Sequence, residues 1–216
     1  MRKMLFLIAL AAVFPFQANA QTRSSTVGDG RYSLLGGEVL GKGVNAVSGE
    51  FGWPSITFGY THGMGQNWDI GGKFDLLYGV EGVTSQTHFG LGFRVPLRAT
   101  VLRSDRISVL VHIDPGLKVF TTSPALFGLS FPVGVVLGYA ANREVNVSFG
   151  VDLPMTLYVT PSPVNFLVGP WFGPAVEYHV DQRLLVGFNT RFGPIFASGG
   201  GNDFGFLMQL LLAYRM

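Results

Sequence analysis

The sequence predicts an all-β chain: a single antiparallel up-and-down β-barrel of about ten strands, with eight as the alternative count. Three observations predict it. Apolar residues recur with a period of two, short polar breaks fall at near-equal intervals, and prolines interrupt every stretch long enough for a spanning helix. A period of two places successive side chains on opposite faces of an extended strand. Phe89, Leu91, Phe93, Val95, Leu97, Ala99 and Val101 alternate with Gly90, Gly92, Arg94, Pro96, Arg98 and Thr100. The next segment sets Ile107, Val109, Val111, Ile113, Leu117 and Val119 against Ser108, His112, Asp114, Gly116 and Lys118. The pattern continues over 127–139, 145–159, 166–180, 184–196 and 204–216.

Composition bounds the class. Of 216 residues 48% are hydrophobic and only 13% charged, with 30 glycines and no cysteine. About 25% charged residues is usual for a soluble domain, so the chain does not read as an ordinary cytosolic enzyme. Its apolar content excludes disorder. The absence of cysteine excludes a disulfide scaffold, thiolate zinc sites, a cysteine nucleophile and a lipid-anchored N-terminal cysteine.

The N-terminus reads as an address. Arg2 and Lys3 precede an apolar run from Met4 to Phe16, and Ala18-Asn19-Ala20 supplies the small residues a signal peptidase reads. Residues 1–20 are therefore expected to be a cleaved signal peptide, 21–30 a short periplasmic segment and 31–216 the barrel. The leader holds two of the 15 basic residues, so its removal leaves 13 basic against 13 acidic. A neutral chain has no basic footprint for nucleic acid.

Two charge-free stretches, 119–142 and 153–176, contain two and five prolines. Each interior proline costs a helix roughly 3 kcal/mol, so neither can span as a helix. Polar breaks centred on Gly65, Ser104, Asn142 and Asp181 are spaced by 39, 38 and 39 residues. Between them lie slightly longer breaks at 81–87, 121–124, 160–165 and 198–203, so the repeating unit is a hairpin. One hairpin is expected before Gly65, turning near Gly41-Lys42-Gly43, and five hairpins make ten strands. Pro54, Pro96, Pro115, Pro132, Pro154, Pro170, Pro174 and Pro194 fall inside the expected strands and predict bulges or bends there.

The apolar face is expected to point to lipid, making the barrel transmembrane. The opposite face carries Lys73, Arg94, Arg98, His112, Asp114, Lys118, Asp152, Glu177 and Arg191 among many glycines, which suits a narrow, filled interior. Strands of about 14 residues at a tilt near 40° stand roughly 35 Å tall, enough for an apolar band of about 25 Å. Aromatics also sort by height. Tyr60, Trp68, Tyr139, Tyr178 and Tyr214 lie at the short-turn end, with Tyr78, Phe89, Phe127, Phe166, Phe196 and Phe204 at the other. Two such girdles flank the apolar band of an outer-membrane barrel.

On these features the chain from Arg31 to Met216 resembles the small outer-membrane β-barrels of Gram-negative bacteria. The last strand, through Phe206, Leu210, Leu212, Tyr214 and Met216, resembles that family's C-terminal insertion signal, though it ends on Met rather than Phe. The resemblance implies residence in the outer membrane after export, with outer-membrane lipids and the barrel-assembly machinery as partners. It names no soluble partner and transfers no function.

Inside the barrel, Asp75, Arg94 and Asp114 fall on three successive strands within cross-strand reach, and predict a charge network with Lys73, Arg98, His112, Lys118, Asp152 and Arg191 nearby. Its expected role is to fill and rigidify the lumen, since buried charges need partners. Arg215, Asp69 and Glu177 are expected on the same face. A narrow passive pore for ions or small solutes is the alternative. An outer-membrane enzyme of protease or lipid-modifying type is the second. Ten strands resemble the omptin-like proteases, but their acidic pairs and His–Asp dyad find no counterpart near the outer loops. His112 with Asp114, and Glu177 with His179, share a face without an obvious nucleophile. His62, His88, His112 and His179 lie on different strands without ligand spacing. The sequence thus assigns no catalytic residue, cofactor site or metal site. Its outer loops, of which 81–87 is the longest, are too short to carry much binding function.

Overall fold

The computed structural model describes residues 32–159 and 165–216. The expected signal peptide and the segment 21–30 lie outside them. Among the described residues there are fifteen strands and no helix: β1 (Asn45–Trp53), β2 (Ser55–Gly63), β3 (Trp68–Leu77), β4 (Gly90–Arg94), β5 (Leu97–Arg103), β6 (Ile107–Ile113), β7 (Gly116–Phe120), β8 (Leu126–Ser130), β9 (Val133–Ala140), β10 (Val145–Leu153), β11 (Met155–Tyr158), β12 (Asn165–Val168), β13 (Trp171–His179), β14 (Leu184–Ala197) and β15 (Asn202–Arg215). They form one antiparallel sheet. β1 pairs with β15, β12 with both β11 and β14, and β5 with both β3 and β6, so each strand has a neighbour on either side.

The strand count differs from ten for a physical reason. Five of the expected long strands are each broken into two arms: at Val95–Pro96, Asp114–Pro115, Phe131–Pro132, Pro154 and Gly169–Pro170. Proline has no N–H to give to the ladder, so the regular pattern stops there. Neighbouring amides bridge the breaks: Val95 N–H donates to the Pro115 carbonyl at 2.8 Å, Asp114 N–H to Pro132 at 2.9 Å, and Phe131 N–H to Met155 at 2.8 Å. Pro174 and Pro194 stay within β13 and β14. Thr100 and Leu102 flank the register shift between β5 and β6, which leaves Val101 as the extra residue of a bulge.

The start of the sheet departs from expectation. No hairpin turns at Gly41-Lys42-Gly43; β1 begins after it, and the β1–β2 hairpin turns at Trp53–Pro54, where Gly52 pairs with Ser55. Gly52 has φ 150°, and a Cβ there would lie 2.0 Å from the Met208 carbonyl oxygen, so only glycine fits that corner. The chain ahead of it, from Tyr32 to Leu40, is not a strand. It runs against the buried face of the sheet, with Tyr32, Ser33, Val39 and Leu40 buried.

The two faces of the sheet have reversed polarity. Phe93, Leu137, Phe149, Val151, Leu210 and Leu212 are exposed, Leu210 by 60%. Thr57, Asp69, Asp75, Glu177 and Gln209 are almost wholly buried. Soluble proteins bury the first set and expose the second.

Two stretches cover the ends of the buried face. Near the short turns, Tyr32 and Leu40 pack with Ala46, Leu185, Leu211 and Ala213. At the other end the β3–β4 connection, expected to be a plain outer loop, folds inward instead. Val80 joins Leu77, Phe120 and Tyr158, and Val83 joins Trp171 and Ile195. Trp53 Nε1 donates to the Gly82 carbonyl at 3.0 Å and fixes that connection. The reason lies in its sequence, since Val80 and Val83 give it an apolar face that needs burial.

Candidate functional site

Between these two coverings lies a layer of charged side chains. Cross-strand register builds it, because Lys73 stands opposite Arg94 on β3 and β4, and Gly92 stands between Asp75 and Lys118. Arg94 holds Asp75 with two parallel bonds, Nε to Oδ2 and Nη2 to Oδ1, both 2.7 Å. Thr57 donates to the same carboxylate at 2.6 Å. On its other side Arg94 Nη1 lies 3.7 Å from Asp114 Oδ2. His112 links Asp114 to Asp152, with Nδ1 3.4 Å from the first and Nε2 2.8 Å from the second. Arg191 Nε closes the series on Asp152 at 2.8 Å. A continuous row of linked polar and charged side chains thus runs from Thr57 on β2 to Arg191 on β14.

Glycines make the room for it. Gly134 pairs with both His112 and Asp152, and a Cβ there would lie 2.1 Å from Asp152 Oδ1 and 2.4 Å from His112 Nε2. A Cβ at Gly150 would lie 2.2 Å from Arg191 Nη2. The buried face therefore alternates charge with glycine because a full-sized neighbour would displace the ion pairs.

Three ion pairs stand outside the row. Arg98 holds Asp69 with Nε–Oδ1 and Nη2–Oδ2 bonds of 2.8 and 2.6 Å, and donates to the carbonyls of Leu34 and Ser33 at 2.9 and 3.2 Å. Lys73 binds Glu50 at 2.6 Å. Lys118 binds Glu81 at 2.8 Å, and the Tyr158 hydroxyl donates to the same carboxylate at 2.6 Å. Sequence reasoning missed Glu50, because the unrecognised corner at Trp53–Pro54 obscured its face. It missed Glu81 because the residue sits in a connection taken as solvent-exposed. Arg215 is half-buried at the short-turn end, where its N–H donates to the Arg183 carbonyl at 2.8 Å.

Glu177 does separate work. It accepts the Ser33 hydroxyl at 2.5 Å and the amides of Leu34 and Leu35 at 2.8 Å each, while His179 Nε2 lies 2.8 Å from the Tyr32 carbonyl oxygen. Together with Arg98 they clamp the Tyr32–Leu40 stretch through its backbone.

A cavity of about 250 Å³ remains between the coverings. Lys73, Arg94, Asp114, Lys118, Asp152 and Arg191 line it beside Leu110, Phe120 and Trp171. Both ring nitrogens of His112 face carboxylates, so neither is turned to a hydroxyl that it could activate. Among the described residues no His, Asp and Glu cluster gathers as a metal site.

The chain is similar to the outer membrane protease OmpT of Escherichia coli, with a TM-score of 0.48 and 9% identity over 80% of this chain and 96% of that one. No protein-family model matches the sequence, and no curated protein matches it.

On the exposed face, Tyr60, Trp68, Tyr139, Tyr178 and Tyr214 all stand between 43% and 46% exposed. Phe89, Phe127, Phe166, Phe196 and Phe204 are exposed near the longer connections, whereas Tyr78 is half-buried against Trp53 and donates to the Gly52 carbonyl. Of the C-terminal residues, Leu210, Leu212, Tyr214 and Met216 are exposed, and Phe206 is half-buried and stacked on Trp53 with ring centroids 6.0 Å apart.

Proposed function

We propose that the chain is an integral outer-membrane β-barrel of ten staves whose lumen is largely filled by side chains and covered at both ends, with a structural or unassigned role in the membrane and no evident catalytic site. The reversed polarity of the sheet carries this reading. An apolar surface of this extent, continuous over alternate positions of nearly every strand, is stable only against lipid or another apolar surface. The buried face holds paired charges that a sandwich of two sheets would not pack. Five staves are the proline-broken pairs β4–β5, β6–β7, β8–β9, β10–β11 and β12–β13; the others are β1, β2, β3, β14 and β15. In this reading the short turns face the periplasm, the signal peptide delivers the chain there, and the C-terminal strand is what the barrel-assembly machinery engages.

The Tyr32–Leu40 stretch stops the short-turn mouth and the inward β3–β4 connection stops the other, with the ionic row between them. Conductance in a planar lipid bilayer tests this. The folded, purified chain is expected to give a silent membrane. Steady unitary current steps that shift when Arg94 or Asp114 is neutralised would make it a passive pore instead.

A further inference from the structure

Cations of this chain are treated differently at different places. On the buried face Lys73, Arg94, Arg98, Lys118 and Arg191 each have a carboxylate partner. At the short-turn end Lys42, Arg103, Arg106 and Arg143 are exposed, and none makes a side-chain hydrogen bond or ion pair among the described residues. Asp105 and Glu144 sit in the same turns without pairing to them. Asp181 is taken up by its own turn, accepting the amides of Arg183 and Leu184 at 2.6 and 2.8 Å, and those two bonds hold its carboxyl below the usual carboxylate range. The opposite end has no exposed Lys or Arg among the described residues.

Position gives these cations a partner. The turns bearing Arg103, Arg106 and Arg143 are neighbours, since β6 pairs with β9 and the Ala140 amide donates to the Arg106 carbonyl at 2.8 Å. Ile107 stands opposite Tyr139 of the aromatic girdle, so Arg106 lies one residue beyond it, about 3.3 Å along the strand. Exposed Tyr and Trp sit at headgroup level in a bilayer, which sets the guanidinium groups among the lipid phosphates. Arg103 and Arg106 flank one turn, Arg143 sits on the next and Lys42 ahead of β1, and the four converge on no pocket. A rim of that form fits a surface of many single anions better than one polyvalent ligand.

We propose that this rim binds the anionic headgroups of the leaflet around it, of the phosphatidylglycerol type. The inference rests on the membrane-barrel reading above. Its test is to refold the full chain from urea into vesicles of phosphatidylcholine alone and of phosphatidylcholine with about 30% phosphatidylglycerol, following vesicle association and the heat-modifiable folded band. Wild type is expected to fold in both and to associate about tenfold more tightly with the anionic vesicles at low salt, a preference lost near 0.5 M NaCl. The fourfold variant K42Q/R103Q/R106Q/R143Q is expected to fold in phosphatidylcholine at the wild-type rate without that preference. Should the variant fail to fold, the salt titration of wild type decides alone. Equal association of wild type with both vesicles, or a preference retained by the folded variant, overturns the proposal. Tighter binding to soluble polyglutamate than to the vesicles, at equal charge, gives the rim to a soluble acidic partner and overturns it too. Wild type folding in neither vesicle instead removes the barrel reading itself.

Discussion

Arg94→Ala is expected to destabilise the fold by about 3–5 kcal/mol, the usual cost of removing one partner from a buried charge pair. Asp75, 2% exposed, would keep only the Thr57 hydroxyl as a side-chain hydrogen-bond partner, and Asp114 would keep only His112. The checking measurement is the temperature at which the folded band disappears from a detergent gel. Arg94→Lys should fall between wild type and alanine, since an ammonium cannot make the two parallel bonds to Asp75. Replacing Asp75 and Arg94 together by Asn and Met should recover part of the loss, because the more deeply buried of the two carboxylates is then no longer left charged and unpaired. An unchanged transition in Arg94→Ala would mean that the ionic row contributes nothing to stability.

Glu177→Ala should act more locally. The residue is 1% exposed and takes the Ser33 hydroxyl and two backbone amides, and bonds to a charged acceptor contribute about 1.5–3 kcal/mol each. The expected result is release of the Tyr32–Leu40 stretch while the sheet stays folded. Amide exchange at Leu34 and Leu35 should rise about a hundredfold, with little change at Val147 or Val186 on the neighbouring strands. Glu177→Gln, which keeps an acceptor oxygen without the charge, should give a smaller rise. Equal acceleration across the strands would mean that Glu177 supports the whole sheet rather than one inserted stretch.

These contacts differ in how far the sequence reveals them. Alternation in 145–153 is strict, so exposed Val147, Phe149 and Val151 and buried Ser148 are readable directly from their order. The positions of Asp75, Arg94 and Asp114 on successive strands follow from the same alternation plus the turn centres. Proline shows where a strand is disturbed but not how: Pro154 and Pro170 break theirs, while Pro174 and Pro194 do not. At the β1–β2 corner Pro54 marks a bend but not a reversal of the chain, because the glycine that allows it is demanded by the distant Met208 carbonyl. Tyr32–Leu40 and the β3–β4 connection are unreadable for a related reason. They fill space that exists only once the strands are paired, and their partners Glu177, Arg98 and Lys118 are between 37 and 144 residues away in sequence.

The central claim is that the apolar face of the sheet meets lipid. The chain has no cysteine, so single cysteines can be placed at Val135, Val136 and Leu137 on β9 and at Val147, Ser148 and Phe149 on β10, and each labelled with a nitroxide after folding into vesicles. Labels at 135, 137, 147 and 149 are expected to collide with lipid-dissolved oxygen and to escape a water-soluble nickel complex, whereas 136 and 148 should be sheltered from oxygen. If the nickel complex instead reaches 135, 137, 147 and 149 freely, that face lies in water and the membrane-barrel account is wrong.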